Sequence, residues 1–558
     1  MPNNLSPMLL VVACITILFL CFRAWHSSAP KPPQLSESIP FISNTIQYLT
    51  DAGRFIDRVT EKLASSRSNI VRFHVGLRPA YIVTGPKNVQ TVLGSPELLD
   101  GNFLQLMLMD KHWGMTRAEI DKFARDKSGR GKTPVPGTAA DVPDGDRYWL
   151  GHDRLYAEYL SSRRHADALA GSFQRLFAEQ LDRRWQPTTT TTRGQWASVE
   201  LSAVLREAMA ESAVVSLFGS RVVELNPGLV ARYWEFDHVA GRLAWGLPGF
   251  LQRRAVAARD RLHGMVRRHV DSAWACFDWD ATPEDLAWEP HFGSRLSRET
   301  ARWLRDKGFS NHAAAGHTLA TLFGLNGNTV PITTWAMIEL VRDPELLRAV
   351  REEIGTVCEV DPGTGARHID AQRLVNLPLM QSLYVELLRT HVSFNVTRQA
   401  TRPLAIEGYP IEKGALVQVC SRIEHYHKDV WGVEGHPASE FWAYRHVKYV
   451  DDVQVEGQGQ EQGQVKGAKK AQFVMKGRPS SFLPFGGGYV MCPGRHFAKQ
   501  EILLAIAVLV TKFDIEFIEW TGSNGLRSDT PPQDDQRYAG FVAMSPDRGV
   551  RVRWRRIY

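Results

Sequence analysis

The 558-residue chain is poor in cysteine, and none of its six cysteines sits in a paired spacing. Cys14 and Cys21 lie in an apolar N-terminal run; Cys276, Cys358, Cys420 and Cys492 are scattered, with no C-x-x-C. That argues against a disulfide framework and for a folded part facing a reducing compartment. No compact Arg/Lys run with interleaved aromatics occurs, nor any zinc-finger spacing, so the formal charge of +7 does not read as nucleic-acid binding. A basic docking face for an acidic partner, or contact with an anionic membrane surface, suits it better. No internal repeat is present. At 44% hydrophobic and 23% charged, a chain of this length can bury a sizeable core.

The N-terminus lacks a basic leader and a small-x-small cleavage site, which argues against a removed signal peptide. It holds an uncharged apolar core from Met8 to Phe22, and Leu5 to Trp25 gives the roughly 20 residues that a spanning helix needs. Arg23 and Lys31 follow, which predicts that the bulk of the chain is cytosolic. We expect a membrane anchor over 1–28, a stiff proline-rich linker over 29–40 (Pro30, Pro32, Pro33) and one large domain over 41–558.

Ile70 to Val83 reads as two strands joined by a turn at Gly76-Leu77-Arg78-Pro79. Helical periodicity marks Arg154 to Arg184, Val199 to Phe218 and Asp260 to Phe277, with a loop at Pro187 and Thr188 to Thr192. Residues 455–471 are rich in Gly, Gln and Lys, and read as a solvated insertion. Strand signals return over Leu404 to Val419 and in the C-terminal GVRVRW. The class is mainly α with smaller β-sheets.

The stretch FLPFGGGYVMCPGRHFA, Phe482 to Ala498, stands out. A free cysteine is usually a small buried hydrophobe. Here Gly486, Gly487 and Gly488 permit a tight turn and close approach of a flat object, and Pro493-Gly494 lead into a helix starting near His496. Helix N–H groups beside the sulfur would favour a thiolate. Such a thiolate suits an axial ligand of heme iron.

The loop resembles that of the cytochrome P-450 family: Phe485, Gly488, Cys492 and Gly494 fill its motif places. Val490 departs from the family, which has Arg or His there against a heme propionate. In LMQSLYVELLRTH, Glu386 and Arg389 share a helix face, the spacing of an ordinary surface ion pair. Upstream of the cysteine, this pair resembles the family's Glu-x-x-Arg element, with Phe441-x-x-x-Arg445 supplying its third member. The resemblance implies that Glu386, Arg389 and Arg445 hold the heme loop. Arg398 matches a propionate-contacting position, or is an ordinary surface arginine.

HAAAGHTLATLFGLNGNTVPITTWAMIEL reads as one long small-residue helix with Pro331 well inside it. Proline frees the Gly327 carbonyl and loosens the turn holding Asn328 and Thr329. This is a plain kink or, functionally, a place where that carbonyl and the Thr329 hydroxyl organise water and pass protons to bound oxygen. The family normally has an acid-Thr pair here. Asn328-Thr329-Val-Pro looks most like the sterol 7α/12α-hydroxylase and prostacyclin synthase branch, and retention of Thr329 favours oxygen activation.

The resemblance implies a cytochrome P-450 fold binding heme b through Cys492, an endoplasmic reticulum location, and NADPH electrons delivered by NADPH-cytochrome P-450 reductase, with cytochrome b5 a further candidate. It implies hydroxylation or another oxidation of an apolar small molecule, with a fungal secondary-metabolism character (terpenoid, steroid-like or polyketide). Two other readings stand beside it. One is a heme-thiolate isomerase or dehydratase needing no external electrons; the other is a non-catalytic membrane-tethered heme or lipid binder.

Overall fold

The computed structural model describes residues 30–557 apart from 136, 139–141, 185–194, 245, 284, 361, 364–366, 451–468, 476, 477 and 479. The expected anchor, the threonine loop and most of the Gly/Gln insertion lie outside these residues. Among the described residues, no helix is long and apolar enough to cross a membrane.

Helices dominate. Those that build the site are α1 (Tyr148–Tyr156), α2 (Arg163–Arg184), α3 (Leu229–Leu243), α4 (Arg253–Cys276), α5 (Asn311–Asn326), α6 (Thr329–Arg342), α7 (Pro378–His391) and α8 (Arg495–Lys512). α8 is buried without interruption from Gln500 to Lys512, and α6 from Thr329 to Ile338. A helix buried on all sides belongs at the centre of a large core, and α8 packs there against α2 and α6. α7 starts with Pro378 in its first turn, where a missing N–H costs nothing.

The first sheet comprises β1 (Ile70–Val75), β2 (Arg78–Val83), β3 (Leu99–Asp100), β4 (Asn395–Ala400) and β5 (Leu416–Cys420). Their order is β1-β2-β5-β4-β3. The β2–β5 pair is parallel and the others are antiparallel. β4 carries Arg398 from this sheet toward the cysteine loop. A second sheet joins Ala197–Glu200, Phe513–Thr521, Arg527–Ser528 and the C-terminal Gly549–Arg556.

Several boundaries differ from the sequence reading. The β1–β2 turn needs only Gly76 (φ +59°) and Leu77; Val75 pairs with Arg78, so Arg78 and Pro79 are strand. The helix expected over Arg154 to Arg184 is broken: a wide turn at Ala157–Ser161 and an extended Ser162 separate α1 from α2. The break presents Leu160 and Ser161 to the cysteine loop, where Ser161 Oγ donates to the Pro493 carbonyl at 3.2 Å. Val199 and Glu200 pair with the C-terminal strand, and the Glu200 carboxylate then caps the helix from Leu201. α4 starts before Asp260, at Arg253. At the insertion's end, Lys470 and Ala471 are not solvated coil but strand, paired with Val450 and Tyr449. In the expected linker, Leu35 is buried and bridges to Arg72, so this part is packed on the domain.

The largest departure is the long helix around Pro331. It is two helices, α5 and α6, interrupted at Gly327 and Asn328, and Pro331 sits in the first turn of α6 rather than in a helix interior.

Candidate functional site

Cys492 sits in the loop leading into α8, its N–H bonded to the Phe485 carbonyl at 3.0 Å. It is solvent-accessible, whereas Cys420 is buried. The N–H groups of Gly494 and Arg495 reach the sulfur, as expected at a helix start. Even so, burial by the surrounding protein is the larger effect, and pushes the thiol above its ordinary range. The helix end alone therefore does not make the thiolate; a coordinating metal ion would.

The glycines also serve the packing of the loop itself. Gly488 has φ +68°, and a β-carbon on it would lie 2.2 Å from the Leu93 carbonyl oxygen. One on Gly487 would lie 2.7 Å from Leu93 Cδ1. They let the loop press on the helix Pro86–Gly94. Gly494 packs beside Leu160 of the broken helix, its β-position 3.8 Å from Cys492 Sγ. Phe485 is half-buried against the main core.

The three-residue network is formed. Glu386 and Arg389 on α7 are both fully buried, and Arg389 is bidentate, with Nε to Oε1 at 2.7 Å and Nη2 to Oε2 at 2.9 Å. Arg445 Nε donates to Oε2 at 2.8 Å. Burial alone would raise the Glu386 pKa, but the bonds from Arg389, His446 and Arg445 outweigh it and hold it at about 2. The remaining guanidinium protons go to carbonyls, among them His425 and Ala438 for Arg389, and Trp431 and Pro437 for Arg445. His425 extends the network to the cysteine loop. Burial lowers its pKa to about 3 and keeps it neutral. Its Nδ1 faces the Arg389 carbonyl at 3.1 Å, and its Nε2 accepts from Leu483 N–H at 3.0 Å. One nitrogen must donate and the other accept, which fixes the tautomer. Sequence spacing gave no sign of His425, because its partner Leu483 is 58 residues away.

Arg398 is buried, so it is not a surface arginine. Its Nη2 donates to the Gly487 carbonyl at 2.9 Å and its guanidinium lies over the Tyr489 ring, but Nε has no partner. A buried cation with an unsatisfied donor beside an accessible cysteine fits an anionic cofactor edge. Val490, on the turn Gly488–Val490, offers no charge; Arg398 reaches this loop as a buried guanidinium, and the partly exposed Arg495 donates to the Cys492 carbonyl at 3.1 Å. The residues present therefore fit a heme: Cys492 would hold its iron, and Arg398 a carboxylate.

Asn328 and Thr329 part company. Asn328 Oδ1 accepts from Ala543 N–H at 3.0 Å and ties the helix interruption to the C-terminal segment. Thr329 is buried; its hydroxyl donates to the Leu325 carbonyl at 2.6 Å and lies 3.3 Å from Glu501 Oε1. Glu501 on α8 was not legible from the sequence. It is fully buried, its Oε2 has no partner, and burial raises its pKa well above the ordinary carboxyl range. Burial thus favours the neutral acid, with Glu501 Oε1 within reach of the Thr329 hydroxyl. The available signal was an acid inside an otherwise apolar helix, nine residues after the cysteine.

One family model and three relatives bear on this arrangement. The family model described as "Cytochrome P450" matches residues 245–449 and 454–526. The cytochrome P450 monooxygenase calL of Penicillium decumbens is 43% identical, covering 98% of this chain and 97% of its own length. The cytochrome P450 monooxygenase efuG of Hormonema carpetanum is 27% identical over 95% of this chain and 92% of its length. A cholesterol 7-alpha-monooxygenase of Cricetulus griseus is 24% identical over 64% of this chain and 66% of its length.

Proposed function

The chain belongs to the cytochrome P450 family, and from that premise we propose that it oxidises an apolar small molecule of secondary metabolism while anchored to a membrane. Family membership makes it a heme monooxygenase with a cysteine-ligated iron, a redox partner and a small-molecule substrate. The finer reading is ours: electrons come from NADPH through a flavoprotein reductase, and 1–28 holds the cytosolic domain at the endoplasmic reticulum. The substrate is terpenoid, steroid-like or polyketide. The sterol in the name of the Cricetulus griseus relative and the fungal origin of the longest matches support this class.

The observation that carries the reading is one connected unit. Glu386, Arg389 and Arg445 fix His425, His425 fixes Leu483, and the loop from Leu483 presents Cys492 at the start of α8. Bound heme would supply activation of O2 at the open face of its iron. The chain's own residues do the rest. Arg398 holds the cofactor edge, Thr329 orients a hydroxyl beside the helix interruption, and Glu501 keeps a proton on the far side of that hydroxyl.

The test is the absorption of the reduced, carbon monoxide-treated protein, with and without Cys492→Ser. A red-shifted band in the wild type that is lost in the variant supports a thiolate ligand; an unchanged spectrum refutes it. Product formation that needs NADPH and reductase supports the oxygenase, whereas product formed without them would establish an isomerase.

A further inference from the structure

We propose that Asp237 on α3, with Tyr538 of the C-terminal segment, imports the protons that the helix interruption at Gly327–Asn328 passes to Thr329. The inference rests on the oxygenase reading. The residue before Thr329 is an asparagine whose carbonyl is already bonded to Ala543. Glu501 touches Thr329, but it is sealed: its other oxygen has no partner and none of its surface is exposed. It can hold one proton, yet it has no polar route by which to regain it.

The opposite side of the interruption has such a route. A β-carbon placed on Gly327 would lie 3.2 Å from Tyr233 Oη and 3.5 Å from Asp237 Oδ1. Both residues are buried on α3, and neither of these oxygens has a hydrogen-bond partner among the described residues. They converge on Gly327, one of the two residues at which α5 and α6 are interrupted. A hydroxyl donor and a carboxyl oxygen facing one point suit a single bridging water, which needs two or more polar partners. The second carboxyl oxygen, Oδ2, accepts from Tyr538 Oη at 2.9 Å. Tyr538 is half-buried and adjoins Arg537, whose side chain is exposed. The route therefore runs from the surface to Tyr538, Asp237 and the open turn.

The groups around Asp237 set its charge. Burial raises its carboxyl pKa to about 6, against the Tyr538 hydrogen bond and the cations Arg206 and Arg537; Asp535 opposes those cations. Tyr233 faces it from α3, and His238 faces Arg537. An acid of that strength both gives and regains a proton near neutrality. In each transfer Oδ1–H is lost to the bridging water, Oδ2 takes the Tyr538 proton, Tyr538 is reprotonated by solvent, and a turn of the carboxyl group returns its proton to the side of the water. No electrons move.

The test compares full-length, heme-loaded wild type, Asp237→Asn and Tyr538→Phe. First, the carboxyl infrared band is recorded without turnover from pH 5 to pH 8. Second, NADPH oxidation with added flavoprotein reductase is measured in H2O and D2O. The expected results are a carboxyl band that titrates near pH 6 and is missing from Asp237→Asn, NADPH oxidation slower by about tenfold in both variants, and a larger solvent isotope effect. The wild-type rate should fall above pH 6 while that of Asp237→Asn stays flat. A band that persists in Asp237→Asn overturns the proposal, as does a folded Asp237→Asn with wild-type rate and isotope effect. Should Asp237→Asn not fold, wild-type values in Tyr538→Phe overturn it. A wild-type protein that oxidises no NADPH overturns the oxygenase reading, and the relay with it.

Discussion

Two buried glutamates in this protein have opposite electrostatics, and each makes a prediction of opposite sign. Glu386 is ionised because two guanidiniums meet it; Glu501 is neutral because none does. The folded pKa of Glu386, about 2, lies below its unfolded value near 4.5. Its contribution is present above the unfolded value and disappears as pH falls toward 2, and amounts to about 3 kcal/mol at neutral pH. Glu386→Gln should lose ~3–5 kcal/mol, since it strands two buried cations, and chemical denaturation at pH 7 would measure this. Glu501 behaves in reverse. Its folded pKa is raised, so its presence costs more stability as pH rises past the unfolded value, where the unfolded chain ionises. Glu501→Gln keeps the shape and cannot ionise, so its melting temperature at pH 7 should match or exceed that of the wild type, and the two should converge at pH 4. A lower melting temperature at pH 7 would mean that Glu501 is charged in the folded protein.

At the scale of elements, what was legible depended on range. Glu386 and Arg389 are three apart on one helix, and the fold brings Arg445 to them as the family resemblance implied. His425, Glu501 and Asp237 were hidden. Their partners Leu483, Thr329 and Tyr538 come from distant elements, and no periodicity records such a contact. The helix around Pro331 was misjudged because a small-residue run reads as continuous. Asn328 breaks it by turning its side chain to Ala543. The glycine loop is legible as special, and the structure adds a neighbour that the sequence does not show: Gly488 accommodates Leu93. Gly488→Ala therefore tests the loop's packing. Positive φ and a 2.2 Å approach to backbone leave no room for a methyl group. The variant should lose most of its heme on gel filtration while retaining helical circular dichroism. Full heme retention would show that the loop is not held against the Pro86–Gly94 helix.

At the scale of the whole molecule, the question is where the expected anchor and linker end and the folded body begins. Composition put the border at residue 40, after the prolines. Hydrogen bonding puts it earlier: the Arg72 N–H donates to the Pro33 carbonyl at 2.9 Å, the Leu35 N–H donates to the Arg72 carbonyl at 2.9 Å, and Leu35 packs on Phe55, Val71 and Phe73. Two deletions separate these borders. Removing 1–29 takes away the apolar run and leaves Pro33 and Leu35 in place. Under the anchored reading, this protein should move from the membrane pellet to the supernatant with an unchanged melting temperature and heme spectrum. Removing 1–40 also strips Leu35 from the core and the first bridge from β1. Burying a leucine contributes about 1.5–3 kcal/mol, so this second form should be less stable by roughly that amount. Carbonate-resistant pelleting of the 1–29 deletion would place the membrane attachment in the folded body instead. Equal stability of the two deletions would mean that Leu35 adds nothing to the core.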